Sequence, residues 1–228
     1  MEQLQLREKE IFETLKKIKK CKFVVVGGYA VNAYTLPRFS VDCDIVLRDR
    51  NELEKIEVLL FELGYYQVKN ISDQFPYEGN FERYEKEIEQ NFKVSMDILI
   101  GEVLDRATKA KFSADWIFDN SVLRNLQGKT ISEQLILRIV NTDALFTMKL
   151  IICRQTDIRD LFLLITSLKN KNWVKKEISE RYDLKDRLSK FFNKINSKQF
   201  KDDLQGVFGM VDDRLFERNK KLILDLEK

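Results

Sequence analysis

The chain has 228 residues, 44% of them hydrophobic and 11% aromatic, which is enough apolar material for one good core or two small ones and too much for a disordered chain. Its formal net charge of +3 is unevenly spread, because Lys169 to Lys201 carries eleven Lys/Arg against four Asp/Glu and the remainder is net acidic. Histidine is absent, which excludes imidazole bases, Ser-His-Asp triads and His-ligated zinc, so any catalysis rests on carboxylates, lysine, hydroxyls or a metal held by oxygen.

The first twenty residues place Leu4, Ile11, Leu15 and Ile18 at helical spacing among Glu and Lys and predict an amphipathic helix. They lack the apolar core of a signal peptide, and no apolar run anywhere approaches the ~20 residues that cross a bilayer, so a cytoplasmic location without a membrane partner is expected. Cys21, Cys43 and Cys153 are odd in number and far apart with no C-x-x-C spacing; they predict small buried hydrophobes in a reducing compartment, not a zinc site or a disulfide framework.

Lys22 to Val26 is a β-branched run broken by Gly27-Gly28, and Tyr29 to Leu36 then predicts a helix stopped by Pro37. Val41 to Leu47 alternates as a strand does. A helix capped by Asp49 or Asn51 runs to about Leu63 and ends at Gly64, and Tyr65 to Lys69 is another short strand. Phe81 to Lys86 and Phe92 to Ile100 predict a hairpin turning over Glu87 to Asn91. Ser121 to Leu126 and Gln134 to Val140 are strands or loops. Helices are expected over Thr142 to Arg154, Asp157 to Leu168, Trp173 to Tyr182, Leu184 to Ile195 and Asp212 to Glu227, from apolar residues three and four apart. A mixed α/β half followed by an α half is the result, with the boundary between about Asn125 and Asn141.

The chemistry concentrates in Phe23 to Leu47, FVVVGGYAVNAYTLPRFSVDCDIVL. Glycines at a strand-to-helix turn let the backbone approach an anionic ligand closely, and free N–H groups there favour phosphates, so Gly27 and Gly28 are candidates to hold a nucleotide's phosphates. On the strand, Asp42 and Asp44 point the same way, about 7 Å apart along the backbone, a pair suited to hard cations that prefer oxygen ligands. Asp97 lies in the apolar strand VSMDILI, where an unpaired charge is costly and a cation would explain it. It is the candidate third carboxylate.

An apolar strand, a Gly-Gly turn and, with thirteen residues between Gly28 and Asp42, Asp-x-Asp on the next strand resemble the signature of the DNA polymerase β-like nucleotidyltransferases. With Arg38 and Ser40 just ahead of the acidic pair, the R-x-S-x-D-x-D form is similar to the AbiEii-like and minimal nucleotidyltransferases of abortive-infection and toxin–antitoxin systems. The resemblance implies an α/β (α+β) nucleotidyltransferase fold, a small mixed sheet flanked by helices, over residues 1–130, and a C-terminal helical region over 131–228 that helps complete the site. It implies two Mg²⁺ ions on Asp42, Asp44 and Asp97, an NTP as substrate, and nucleotide contacts from Gly27, Gly28, Arg38 and Ser40. Relatives often carry a lysine on a downstream helix followed by an Arg-Asp pair, and Thr142 to Leu164 matches. By that likeness Lys149 reaches the triphosphate as a mobile point charge, and Asp157 or Asp160 with Arg159 orients it. The alternative is a solvated Lys149 with Arg154, Asp157, Arg159 and Asp160 in surface ion pairs.

The expected activity is transfer of an NMP group from an NTP to an acceptor hydroxyl. RNA, such as a tRNA end, leads as acceptor because of the basic 169–201 segment and its interleaved Trp173, Phe191 and Phe192. Relatives also modify a partner toxin or an antibiotic, and a cognate antitoxin or toxin is a further expected partner. The rival reading is a non-catalytic RNA- or protein-binding module with the same fold.

Overall fold

The computed structural model describes residues 2–69, 75–209 and 211–226. The chain divides into two compact units, Met1–Ala33 with Phe39–Val140, and Tyr34–Arg38 with Asn141–Lys228. Among the described residues no helix is long and apolar enough to cross a membrane.

The first unit opens with α1 (Glu2–Ile18), which buries Ile11, Phe12, Leu15 and Ile18 along one stripe. Then come β1 (Val24–Val25), α2 (Gly27–Asn32), β2 (Asp42–Leu47), α3 (Arg50–Glu62) and β3 (Tyr66–Gln67). The Asp49 side chain caps α3 by accepting from the Glu52 N–H. The unit continues with β4 (Tyr77–Glu78), β5 (Phe81–Glu89), β6 (Phe92–Ile100), β7 (Glu102–Asp105), β8 (Lys111–Ser113), α4 (Ala114–Asp119), β9 (Ser121–Gln127) and β10 (Gln134–Val140).

Seven strands form one mixed sheet in the order β3-β5-β6-β2-β1-β10-β9, and β4-β7-β8 form a second, smaller one. Pairing is parallel between β1 and β10 and between β2 and β6, and antiparallel elsewhere in the large sheet. Burial follows this order. The central strands β2 and β6 are buried almost throughout, as strands covered on both faces must be, and their residues are correspondingly apolar apart from the aspartates, Lys93 and Ser95. The β9–β10 turn is pinned from α1, where the buried Glu8 carboxylate accepts from the Thr130 N–H at 2.8 Å and the Thr130 hydroxyl at 2.7 Å.

Two expectations shift. The helix after the glycines begins at Gly27 and ends at Asn32, so both glycines lie inside its first turn and Pro37 falls five residues beyond its end. The hairpin strand β5 runs on through Glu89 and turns over Gln90-Asn91, with Asn91 at φ 64°, a left-handed conformation that asparagine tolerates. Ser121–Gln127 and Gln134–Val140 are strands, paired antiparallel over seven residues.

The second unit is helical: α5 (Thr142–Ile152), α6 (Gln155–Leu164), a 3₁₀ turn over Ile165–Ser167, α7 (Lys171–Ser179), α8 (Leu184–Ile195), α9 (Phe200–Phe208) and α10 (Asp213–Leu224). Asn141 caps α5 by accepting from Ala144 N–H, and Cys153 ends it in the left-handed conformation. The core includes a ring cluster of Phe162, Phe200 and Phe216, with centroids 5.0 to 6.3 Å apart. α10 is shorter than its apolar pattern, whose last residue, Glu227, lies outside the described residues.

Candidate active site

Register decides what the first unit can do. Parallel β2 and β6 align Asp42 with Ser95 and Asp44 with Asp97, and alternation puts Asp42 on the face shared by that pair. Three carboxylates from two strands distant in sequence therefore gather on one face of the sheet. Asp44 and Asp97 are buried, while Asp42 is half-buried at the start of its strand.

Asp97 is wholly buried, and its Oδ1 has no hydrogen-bond partner. Arg83 Nη1 lies 3.4 Å from both oxygens, a long hydrogen bond to Oδ2 and an ion-pair contact alone to Oδ1. Burial, with the charges of Asp44 and Asp42 added, pushes its carboxyl up to about 9, and Arg83 only partly opposes this. Asp44 is held differently: the buried Tyr77 hydroxyl donates to its Oδ1 at 2.9 Å.

The glycine turn meets the same carboxylate. Gly27 has φ +63°, and a Cβ built there would lie 1.9 Å from Asp44 Oδ2. Only glycine lets the backbone come this close. The Val26 N–H donates to the Asp44 carbonyl at 3.0 Å, tying the turn to β2. Gly28 is buried in the first turn of α2, and Ser40 is buried ahead of β2 with no side-chain hydrogen bond among the described residues.

Among the described residues no three Asp, Glu, Cys or His side chains close into a finished metal cage. The donor chemistry nevertheless fits a hard cation. A fully buried carboxylate oxygen with no hydrogen bond, beside a second buried carboxylate and a third half-buried one and only one arginine, is a costly arrangement that a divalent ion would relieve.

In the second unit the structure joins Lys149, Asp157, Asp160 and Arg38. Lys149, on α5, lies 2.8 Å from Asp157 Oδ1 and 2.9 Å from Asp160 Oδ2. Arg38 grips Asp160 with both Nε and Nη2 at 2.8 Å. Lys149, Asp157 and Asp160 are all buried, so the solvated alternative does not describe them, and the Lys149 ammonium is paired with both carboxylates. Burial pulls the Lys149 ammonium down, yet Asp157 and Asp160 outweigh it and the net shift is upward. For Asp160, burial raises the carboxyl and the Lys149 and Arg38 charges win, holding it below the usual range. Asp157 Oδ2 also accepts the Arg154 N–H at 3.1 Å, which ties α5 to the start of α6. Arg159 is half-buried and makes no side-chain hydrogen bond or ion pair among the described residues.

Sequence reasoning missed Tyr77 and Arg83. Tyr77 sits on a two-residue strand with no periodicity to read. Arg83 faces Asp97 only because the hairpin register shifts between Glu87 and Glu89; counting back from the turn alone would have put Tyr84 there.

One protein family, described as nucleotidyl transferase AbiEii toxin, type IV toxin–antitoxin system, matches residues 12–221. The chain belongs to the AbiEii nucleotidyltransferase family. No curated protein matches it in sequence. Among solved structures, the nucleotidyltransferase toxin MenT4 from Mycobacterium tuberculosis H37Rv aligns over 99% of this chain and 84% of its own, with TM-score 0.62 and 14% identity. JHP933 from Helicobacter pylori aligns over 99% and 92%, with TM-score 0.49 and 16% identity. ANT(2")-Ia, solved in complex with adenylyl-2"-tobramycin, aligns over 79% and 97%, with TM-score 0.48 and 14% identity. As an AbiEii-family protein with the fold of MenT4, the chain is a nucleotidyltransferase.

Proposed function

We propose that this nucleotidyltransferase moves a nucleoside monophosphate from an NTP to a hydroxyl of RNA, with Asp42, Asp44 and Asp97 holding divalent cations, Mg²⁺ by choice of ligand. The observation that carries the reading is the register pairing of Asp44 with Asp97, whose buried Oδ1 lacks a hydrogen-bond partner. The ions, when bound, supply charge neutralisation of the triphosphate and the leaving pyrophosphate and acidify the acceptor hydroxyl.

The chain's own residues do the rest. Asp42 and Asp44 fix the donor set from one strand, and Tyr77 keeps the Asp44 carboxylate from rotating. The acceptor oxygen attacks the α-phosphorus in line, the bond to the β-phosphate oxygen breaks and pyrophosphate leaves with its electron pair. The proton of the acceptor hydroxyl goes to the Asp97 carboxylate, which accepts it only in its ionised form. Gly27 lets the turn's backbone lie against Asp44, so phosphates held beside that carboxylate would meet the Gly27-Gly28 turn. For Lys149 to reach a triphosphate, its ammonium must leave Asp157 and Asp160.

RNA is favoured as acceptor by the basic stretch Lys169 to Lys201, which forms α7 and α8. Phe191 is wholly buried and closed to base stacking, whereas Trp173 and Phe192 are half-buried. A cognate antitoxin fits the family's type IV toxin–antitoxin description. The test is incorporation of α-labelled NTP into total RNA or tRNA with Mg²⁺, set against Asp44→Asn. Equal labelling by both proteins sinks the proposal, and labelling of protein instead of RNA replaces the acceptor.

A further inference from the structure

The large sheet of the first unit ends at β9, and this edge strand is unusually bare. Val122, Leu123, Arg124 and Asn125 are all exposed in succession, so both faces of the strand meet solvent. Leu123 is 68% exposed, and Ile136 on neighbouring β10 is 66% exposed. Terminal strands are normally short, charged or covered, because their outer backbone groups template further pairing.

Beside this edge lies an open groove of about 510 Å³ between the α1–β1 turn, α4 and the β9–β10 hairpin. Leu123 and Ile136 line it, and its charged residues are Lys19, Lys22, Arg48 and Arg138 against Asp119 alone. Arg48 is shared with Asp115 and Asp119. Lys19 and Arg138 have no acidic partner among the described residues, and Lys22 meets Glu52, to whose Oε2 its main-chain N–H donates at 3.2 Å.

We propose that β9 and this groove dock an extended acidic segment of a partner protein, which adds as a strand to β9, sets apolar side chains on Leu123 and Ile136 and places carboxylates against Lys19, Lys22 and Arg138. Strand addition supplies backbone hydrogen bonds, and alternate side chains supply specificity. Charge decides the occupant. A second copy of this chain pairing through β9 would bring cation against cation, whereas an acidic strand offsets the groove's excess of positive charge. A nucleic acid would meet exposed aliphatic side chains where base stacking needs open aromatic faces.

The probe is a fluorescein-labelled (Glu-Val)₄ peptide, titrated with the full chain and followed by anisotropy. Hydrogen exchange is read at residues 121–127. Saturable binding is expected, with slowed exchange at β9, at least tenfold weakening in Lys22→Glu/Arg138→Glu, and loss of binding when alternate peptide amides are N-methylated. Circular dichroism of the double variant keeps a folding defect from passing as lost binding, and Leu123→Lys, which removes the apolar seat, gives a second variant. Four results overturn the inference: no saturation, binding unchanged by charge reversal, preference for a single-stranded oligonucleotide that protects the same residues, or a concentration-dependent dimer that Leu123→Lys abolishes. None of them bears on nucleotidyl transfer.

Discussion

The Tyr77 hydroxyl donates to Asp44 Oδ1 at 2.9 Å inside the protein, so the second carboxylate of the D-x-D pair is aimed by a residue of the smaller sheet. A hydrogen bond to a charged group contributes about 1.5–3 kcal/mol, and in Tyr77→Phe that constraint goes while the ring stays. Nucleotidyl transfer should fall about tenfold or more in Tyr77→Phe, and fall to background in Asp44→Asn. Labelled-NTP assays on both variants check this, and full activity in Tyr77→Phe would show that Asp44 needs no such support.

Gly27 permits no side chain. Its φ of +63° is strained for any other residue, and the added Cβ would overlap Asp44 Oδ2 at 1.9 Å. Gly27→Ala should therefore cost at least a hundredfold in transfer by pushing Asp44 off its strand-face position. Gly206→Ala is the matched control. Its new methyl meets nothing within 4 Å, and inside α9 it should raise stability by about 0.5–1 kcal/mol with activity intact.

Much of this site can be read from sequence, and the unread part has a physical cause. The D-x-D pair is legible because strand alternation fixes both side chains to one face, and Asp97 because a carboxylate in an apolar run demands a partner. The contacts of Arg83 with Asp97 depend on one bulge, and those of Tyr77 with Asp44 on a strand of two residues; neither leaves a period in the sequence. The Lys149 cluster was found as residues but not as an environment. Spacing on a helix predicts neighbours, whereas burial depends on what packs over them, here enough to leave Asp160 with no exposed surface.

Asp97 gives the cation-free protein an unusual pH dependence. Its carboxyl is raised from 3.8 to about 9, so the folded state holds a proton that the unfolded state has released over that interval, and stability falls as pH rises across it. Asp97→Asn removes that slope. In EDTA at pH 8 the variant should melt at least about 5 °C above the unsubstituted protein, and at pH 4 the two should converge. Adding Mg²⁺ should stabilise the parent and leave the variant nearly unmoved, which separates cation binding from the titration itself.

Lys149 and Asp160 predict the opposite limb. Asp160 is held below its ordinary range by Lys149 and Arg38, so its stabilisation is complete above the unfolded carboxylate range and is lost as pH falls through the folded value. Breaking a buried pair leaves an uncompensated charge. Lys149→Met, which strands Asp157 without its only cation among the described side chains, should cost about 3–5 kcal/mol at pH 7. The deficit should shrink on acidification, as the stranded carboxylates take up protons. Urea denaturation at pH 7 and pH 4 measures both, and a loss below about 1 kcal/mol at pH 7 would mean that Lys149 is tuned for a ligand and contributes little to holding α5 against α6.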